Sequence, residues 1–145
     1  MGTTISAARF SARKQRLYIA HVGDSRVYRL RAGRLTRMTN DHTMAELGVT
    51  SEDAKNLSRA VGVHSRVRID VVLAKPQPKD VYLICTDGLT KMVDEARIAQ
   101  LLAGSRTPDT IARSLIEAAN SSGGKDNTSV VLIRIDPMSS VARLA

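Results

Sequence analysis

At 145 residues and 43% hydrophobic content, the chain is sized for one domain around one core and is too apolar for disorder. The net charge of +8 falls entirely in residues 1–37, where nine Lys/Arg face the single acid Asp24. No stretch approaches the roughly 18 apolar residues of a membrane-spanning helix. Met1-Gly2-Thr3-Thr4-Ile5 lacks the basic-then-apolar layout of a secretory leader. A local positive field draws anions: phosphorylated proteins, acidic partners or nucleic acid. Phe10, Tyr18, Tyr28 and Tyr82 are the only aromatic side chains, too few for a base-stacking platform, which disfavours nucleic acid. The lone cysteine, Cys85, excludes an internal disulfide, and its apolar neighbours predict a buried, reduced thiol and a cytoplasmic setting.

In chain order, Arg16–Val22 reads as a strand, Gly23-Asp24-Ser25 as a turn, and Arg26–Arg31 and Arg34–Met38 as two further strands. The expected arrangement is a meander with Asp24 at a hairpin tip. Residues 40–62 are thin in apolar content and read as a small helical insertion able to move as a flap, with Ser51 as an N-cap. Val67, Ile69, Val71 and Leu73 alternate with mostly polar residues, the pattern of a half-buried strand that Pro76 and Pro78 end. Val81–Thr86 is nearly all apolar, hence a central strand. Two helices follow. The first is capped by Asp94, carries Ile98, Leu101 and Leu102 on one stripe, and stops at Gly104. The second starts at Thr107-Pro108, buries Ile111, Leu115, Ile116 and Ala119, and ends at Gly123-Gly124. Thr128–Ile135 is the last strand. Strands, then a helix pair, then a returning strand point to an α+β fold with helices packed on antiparallel sheet.

Three aspartates stand where apolar runs meet turns: Asp24 in Val-Gly-Asp-Ser-Arg, Asp87 in Cys-Thr-Asp-Gly-Leu, and Asp126 in Gly-Gly-Lys-Asp-Asn-Thr. Each motif alone is also an ordinary turn signal. If the strands ending before Asp87 and beginning after Asp126 pair antiparallel, both carboxylates reach one rim. Converging carboxylates without histidine or cysteine suit a hard divalent cation such as Mg²⁺ or Mn²⁺. Ser25 lacks the histidine–carboxylate partners of a nucleophile. His21, His42 and His64 read as surface or packed histidines.

The string Leu17-Tyr18-Ile19-Ala20-His21-Val22-Gly23-Asp24-Ser25-Arg26-Val27-Tyr28 resembles a hallmark of metal-dependent protein serine/threonine phosphatases, the PPM or type 2C family, in its bacterial branch. Thr39-Asn40-Asp41-His42-Thr43, Leu57-Ser58-Arg59-Ala60-Val61-Gly62, Leu83-Ile84-Cys85-Thr86-Asp87-Gly88-Leu89 and Gly123-Gly124-Lys125-Asp126-Asn127-Thr128 are similar to further family motifs, in order. The resemblance implies a PPM-type antiparallel β-sandwich flanked by helices, and hydrolysis of protein phosphoserine and phosphothreonine by a metal-activated water. It implies two Mn²⁺ or Mg²⁺ ions with Asp87 and Asp126 among the ligands. Asp24 matches the residue holding a labile third ion, with Asn127 and Gly88 in support and no catalytic side chain beyond the ligands. Phosphorylated proteins and a cognate serine/threonine kinase are the implied partners.

Three departures accompany it. The family's metal-bridging Asp, its Asp-Gly pair and its phosphate-binding arginine precede the match to Met1-Gly2-Thr3-Thr4, so residues 1–138 are expected to be the C-terminal portion of a domain, incomplete at the N-terminus, with 139–145 a tail. Lys91 stands where an acid is usual and opposes a third cation. The flap-like insertion, about 40–62, is short. Bare sheet edges and one bare apolar face are then expected, covered by a homo-oligomer or a swapped partner. The alternative function is a non-catalytic binding module using the basic N-terminal surface.

Overall fold

Seven strands form two antiparallel sheets in a computed structural model that describes residues 1–137. β1 (Ile5–Ser11), β2 (Arg16–Val22) and β5 (Asp70–Ala74) make one sheet, in the order β1-β2-β5. β3 (Arg26–Arg31), β4 (Arg34–Arg37), β6 (Val81–Cys85) and β7 (Val130–Arg134) make the other, in the order β4-β3-β6-β7. Three helices complete the fold: α1 (Asp87–Thr90), α2 (Glu95–Leu102) and α3 (Pro108–Ser121). The residues assigned by sequence to a tail, 139–145, lie outside the described residues.

Local chemistry accounts for most elements. Ala32 and Gly33, at φ 48° and 78°, close the tight β3–β4 hairpin. Asp94 caps α2 by accepting from the Arg97 amide at 2.7 Å, and Thr107 caps α3 by accepting from the Thr110 amide at 3.3 Å, with Pro108 in the first turn. Ser51 occupies the expected cap position without a side-chain bond, and the insertion holds only two short 3₁₀ turns, Ala45–Leu47 and Glu52–Lys55. So few buried groups in that segment leave nothing to extend a helix.

Two expectations are corrected. β1 was unpredicted, because two of its three inward residues, Ser6 and Ala8, are small and leave Phe10 alone as an apolar signal on that face. The expected meander is also absent: β2 pairs with β1 and β5, and β3 pairs with β4 and β6. Gly23-Asp24-Ser25 is therefore a crossover between sheets instead of a hairpin tip. Alternation fixes which residues share a face, not which strand they pair with. Gly23 permits the crossover: its φ is 111°, and a Cβ there would stand 2.3 Å from the Thr4 side chain.

The core has two layers. Leu17, Ile19, Val27, Ala74 and Tyr82 fill the space between the sheets. Tyr28, Leu30, Leu83 and Cys85 on the outer face of the second sheet pack against Ile98, Leu102, Ile111 and Leu115 of α2 and α3. Among the described residues, no helix covers the first sheet in this way. The register aligns Ala7, Ala20 and Val71 in one row and Arg9, Tyr18 and Leu73 in the next, and Val71 and Leu73 remain 59% and 60% exposed. Asp80, buried at the sandwich edge, accepts from Arg31 at 2.7 and 2.6 Å, from the Tyr82 hydroxyl at 3.1 Å and from the Gln77 amide at 2.9 Å. Its carboxyl is held below the usual range: burial opposes this, and the Arg31 pair and the other donors outweigh it.

This asymmetry predicts unequal responses to truncation. Leu115→Ala, at a site with no exposure, is expected to cost about 2–5 kcal/mol in urea unfolding. Leu73→Ala should stay within about 0.5 kcal/mol. A core-sized loss at Leu73 would mean that the face is covered in solution.

Candidate functional site

The pairing of β6 with β7, from Val81 opposite Arg134 to Cys85 opposite Val130, delivers the chain after Cys85 and the chain before Val130 to one rim. Thr86 clips the two together. Its amide donates to Ser129 O at 3.1 Å, its hydroxyl donates to Asn127 O at 3.2 Å, and the Ser129 amide donates back to that hydroxyl at 3.0 Å. Gly88 lies so close to the second segment that a Cβ would stand 2.4 Å from Asn127 O. Any side chain at 88 would push the segments apart. Asn127 contributes through its backbone, its amide donating to Asp126 Oδ1 at 2.8 Å.

The two carboxylates meet at one cation. α1 is a single turn, so Asp87 and Lys91 lie one turn apart on the same side. The Lys91 ammonium donates to Asp87 Oδ2 and stands 3.7 Å from Asp126 Oδ2. Asp87 raises the affinity of that ammonium for its proton, with Asp126 and Asp24 adding to the effect. Asp24 arrives from the crossover, half-buried, and its carboxyl is pushed up first by burial and next by the Asp87 charge, against a smaller opposing pull from Lys91. The raised value means that Asp24 favours the folded state when neutral. Its contribution is full below the unfolded carboxylate range and fades as pH rises through the folded value.

The donor set is oxygen-only, which fits a hard divalent ion in kind. It is short in number: among the described residues, no three His, Cys, Asp or Glu side chains are grouped to hold a metal. The Lys91 ammonium supplies the positive charge between Asp87 and Asp126. Beside this rim, a cleft of about 450 Å³ opens between β1 and the β6–β7 pair, with hydroxyls of Thr4, Ser25, Thr86 and Ser129 along it.

The sequence reading missed two polar clusters. Asp41 takes Arg26 at 2.7 Å and Arg37 at 2.6 Å, so part of the basic segment is neutralised internally. His21 and His42 are buried with ring centroids 4.7 Å apart, whereas His64 is exposed. Their partners lie 15 to 28 residues away, and no spacing rule reveals such a set. Cys85 is free and buried, with burial pushing its thiol up to about 12, which agrees with an inert structural role.

The model of the stage II sporulation protein E (SpoIIE) family matches residues 1–136. The chain belongs to this SpoIIE/PPM-type family. Serine/threonine phosphatase stp of Listeria monocytogenes is 40% identical over 147 residues, covering 94% of this chain and 58% of that protein. PppA, a regulatory component of the type VI secretion system (T6SS) in Pseudomonas aeruginosa, superposes with a TM-score of 0.86 at 30% identity, over 92% of this chain and 57% of that one. The catalytic domain of serine/threonine protein phosphatase PstP, solved with two manganese ions, gives 0.80 at 37% identity, over 94% and 60%. The two-sheet fold is thus the PPM phosphatase fold. This SpoIIE/PPM-type chain spans about 58% of the length of its Listeria relative.

Because Asp87 is the charged neighbour that raises Asp24, Asp87→Asn should lower the Asp24 titration midpoint in carboxyl ¹³C NMR. An unchanged midpoint would mean that the Asp87 charge does not act on Asp24.

Proposed function

We propose that residues 1–138 are the C-terminal portion of a metal-dependent protein serine/threonine phosphatase domain acting on phosphorylated proteins. The observation that carries this reading is the convergence of the Asp87 and Asp126 carboxylates on one positive charge, held by the β6–β7 pairing. In this reading Asp87 and Asp126 hold Mn²⁺ or Mg²⁺, Asp24 serves a third and more weakly held ion, and Gly88 and Asn127 keep the rim closed. Bound divalent ions would supply a water acidic enough to attack phosphorus and would neutralise phosphate charge. The chain's own residues do the positioning. Thr86 fixes the distance between the two loops, and the α1 turn aims Asp87. Lys91 balances the carboxylates and must give way for an ion to take both.

A cognate serine/threonine kinase and a signalling role follow from phosphoprotein substrates. No helix of the described residues is long and apolar enough to cross a membrane. The buried Cys85 thiol supports a cytoplasmic place of action. The bare outer face of β1-β2-β5 supports a covering polypeptide, a second copy or a swapped partner. The insertion of about 40–62, whose neck is closed by the bond from the Ser58 amide to His42 O, would serve as the flap.

A second reading, a non-catalytic module that binds phosphoproteins, draws on the exposed Arg9, Arg13, Lys14, Arg16 and Arg34. The pairing of Arg26 and Arg37 with Asp41, and of Arg31 with Asp80, weakens it by removing three cations from the free surface.

The deciding experiment is Mn²⁺-dependent phosphate release from a phosphothreonine peptide. Turnover lost in Asp87→Ala supports the enzyme; peptide binding without turnover supports the module. Lys91→Asn is expected to raise Mn²⁺ affinity about 2–5-fold by calorimetry, the range that matches an exposed ion pair. Unchanged or weaker Mn²⁺ binding would place the ion elsewhere.

A further inference from the structure

His42 is 2% exposed and bonds three separate segments at once. Its backbone amide donates to Gly23 O at 2.8 Å, and the Gly23 amide donates to its Nδ1 at 3.1 Å. Both polar groups of Gly23, the residue before Asp24, are thus engaged by one partner. On the other side, His42 O accepts from the Ser58 amide at 2.9 Å, closing the neck of the 42–58 excursion. Its Nε2 lies 3.1 Å from Asp70 Oδ2 at the start of β5. Asp70 in turn is gripped by Arg59, Nη1 to Oδ1 at 2.7 Å and Nη2 to Oδ2 at 3.3 Å, and Arg59 follows directly on the neck.

The donors fix the tautomer. A backbone N–H can only donate, so Nδ1 must be unprotonated. The neutral ring then carries its proton on Nε2, the nitrogen facing the Asp70 carboxylate. Arg59 holds that carboxyl below its ordinary range, so it stays an acceptor. The chain Arg59–Asp70–His42–Gly23 therefore runs without a mismatched donor from the exit of the excursion to the crossover.

We propose that His42 is a positioning residue through which the neck of the 42–58 excursion sets the orientation of the crossover that presents Asp24. The imidazole gives motion at the neck a route to the crossover beside two others, the backbone bond from the His42 amide to Gly23 O and the β2–β5 pairing that sets His21 opposite Asp70. The functional meaning of moving Asp24 rests on the metal reading above. The coupling itself does not.

Amide hydrogen exchange on the ¹⁵N-labelled chain tests it, with buried Ile19 as the reference for global opening. Arg59→Lys removes the two-pronged grip on Asp70 at a partly exposed site. His42→Asn keeps an acceptor near the Nδ1 position and gives up the reach to Asp70. Arg59→Lys is expected to speed Gly23 exchange at least threefold relative to Ile19, and to shift the Asp24 amide resonance. In the His42→Asn background the same change should add nothing. The wild-type ring ¹⁵N spectrum should show the Nε2–H tautomer. The proposal is overturned by an Nδ1–H tautomer, by a Gly23 amide that ignores Arg59→Lys, or by an equal response in both backgrounds. If His42→Asn does not fold, the first two readouts still decide. Mn²⁺ broadening of Asp24, Asp87 and Asp126 on the same samples separates the two readings. Its absence would remove the metal site and leave the coupling, and an indifferent Gly23 would do the reverse.

Discussion

The antiparallel pairing of β6 with β7 is the constraint on which the rim depends. In a parallel pair, the end of one strand lies beside the end of the other, and Asp126, which precedes β7, would sit at the far edge of the sheet from Asp87. Antiparallel pairing instead sets the exit of β6 beside the entry of β7. Thr86 then uses its backbone amide and both roles of its hydroxyl to bind residues 127–129. The absence of a side chain at Gly88 lets the two segments touch. Each device is local, and together they turn a sheet register into a fixed separation between carboxylates.

The sequence was legible where burial on both faces or explicit capping leaves little choice. The apolar run Val81–Cys85 can be stable only as a covered strand, and it lies between β3 and β7. Asp94 and Thr107-Pro108 mark helix starts with chemistry that works one turn at a time. Pairing partners were not legible. Arg16–Val22 and Arg26–Arg31 each alternate well, and three residues between them suggest a hairpin, yet a crossover needs no more length than a hairpin. Gly23 serves either case. β1 escaped notice because, as an edge strand, it turns inward one bulky side chain, Phe10, beside the small Ser6 and Ala8. The His21–His42 cluster was illegible for a different reason. Its members come from β2, the excursion neck and β5, and only tertiary folding gives them one environment.

Charge placement is also reshaped by folding. The basic N-terminal segment reads as a free positive field, yet Arg26, Arg31 and Arg37 turn toward acids contributed from 4 to 49 residues away. All three pairs are partly buried, and those of Arg26 and Arg31 are hydrogen-bonded, so these two fix geometry as much as they screen charge. Arg26 and Arg37 clamp Asp41 beside His42, at the same neck that the imidazole holds. The cations left exposed belong to the β1–β2 hairpin and to the tip of the β3–β4 hairpin.

What remains at the rim is a local excess of negative charge in a basic molecule. Lys91 provides one ammonium, and three carboxylates act on it. One positive charge cannot neutralise all three, and the carboxyl that bears the mismatch is Asp24, the one drawn into partial burial at the crossover. Burial is the first cause of its raised proton affinity, and the second, the Asp87 charge, belongs with the crowding of Asp87 and Asp126 on one ammonium: the fold gathers more acid at this edge than Lys91 can balance. A surplus of that kind favours whatever small cation reaches the edge, and the hard oxygen donors bias that choice toward divalent ions over soft metals. The exposed cations of the β1–β2 and β3–β4 hairpins, at the opposite end of the sheets from this rim, have the opposite preference, for anions. The fold thus separates its charge: the end that carries Asp24, Asp87 and Asp126 favours cations, and the end that carries the two basic hairpins favours anions.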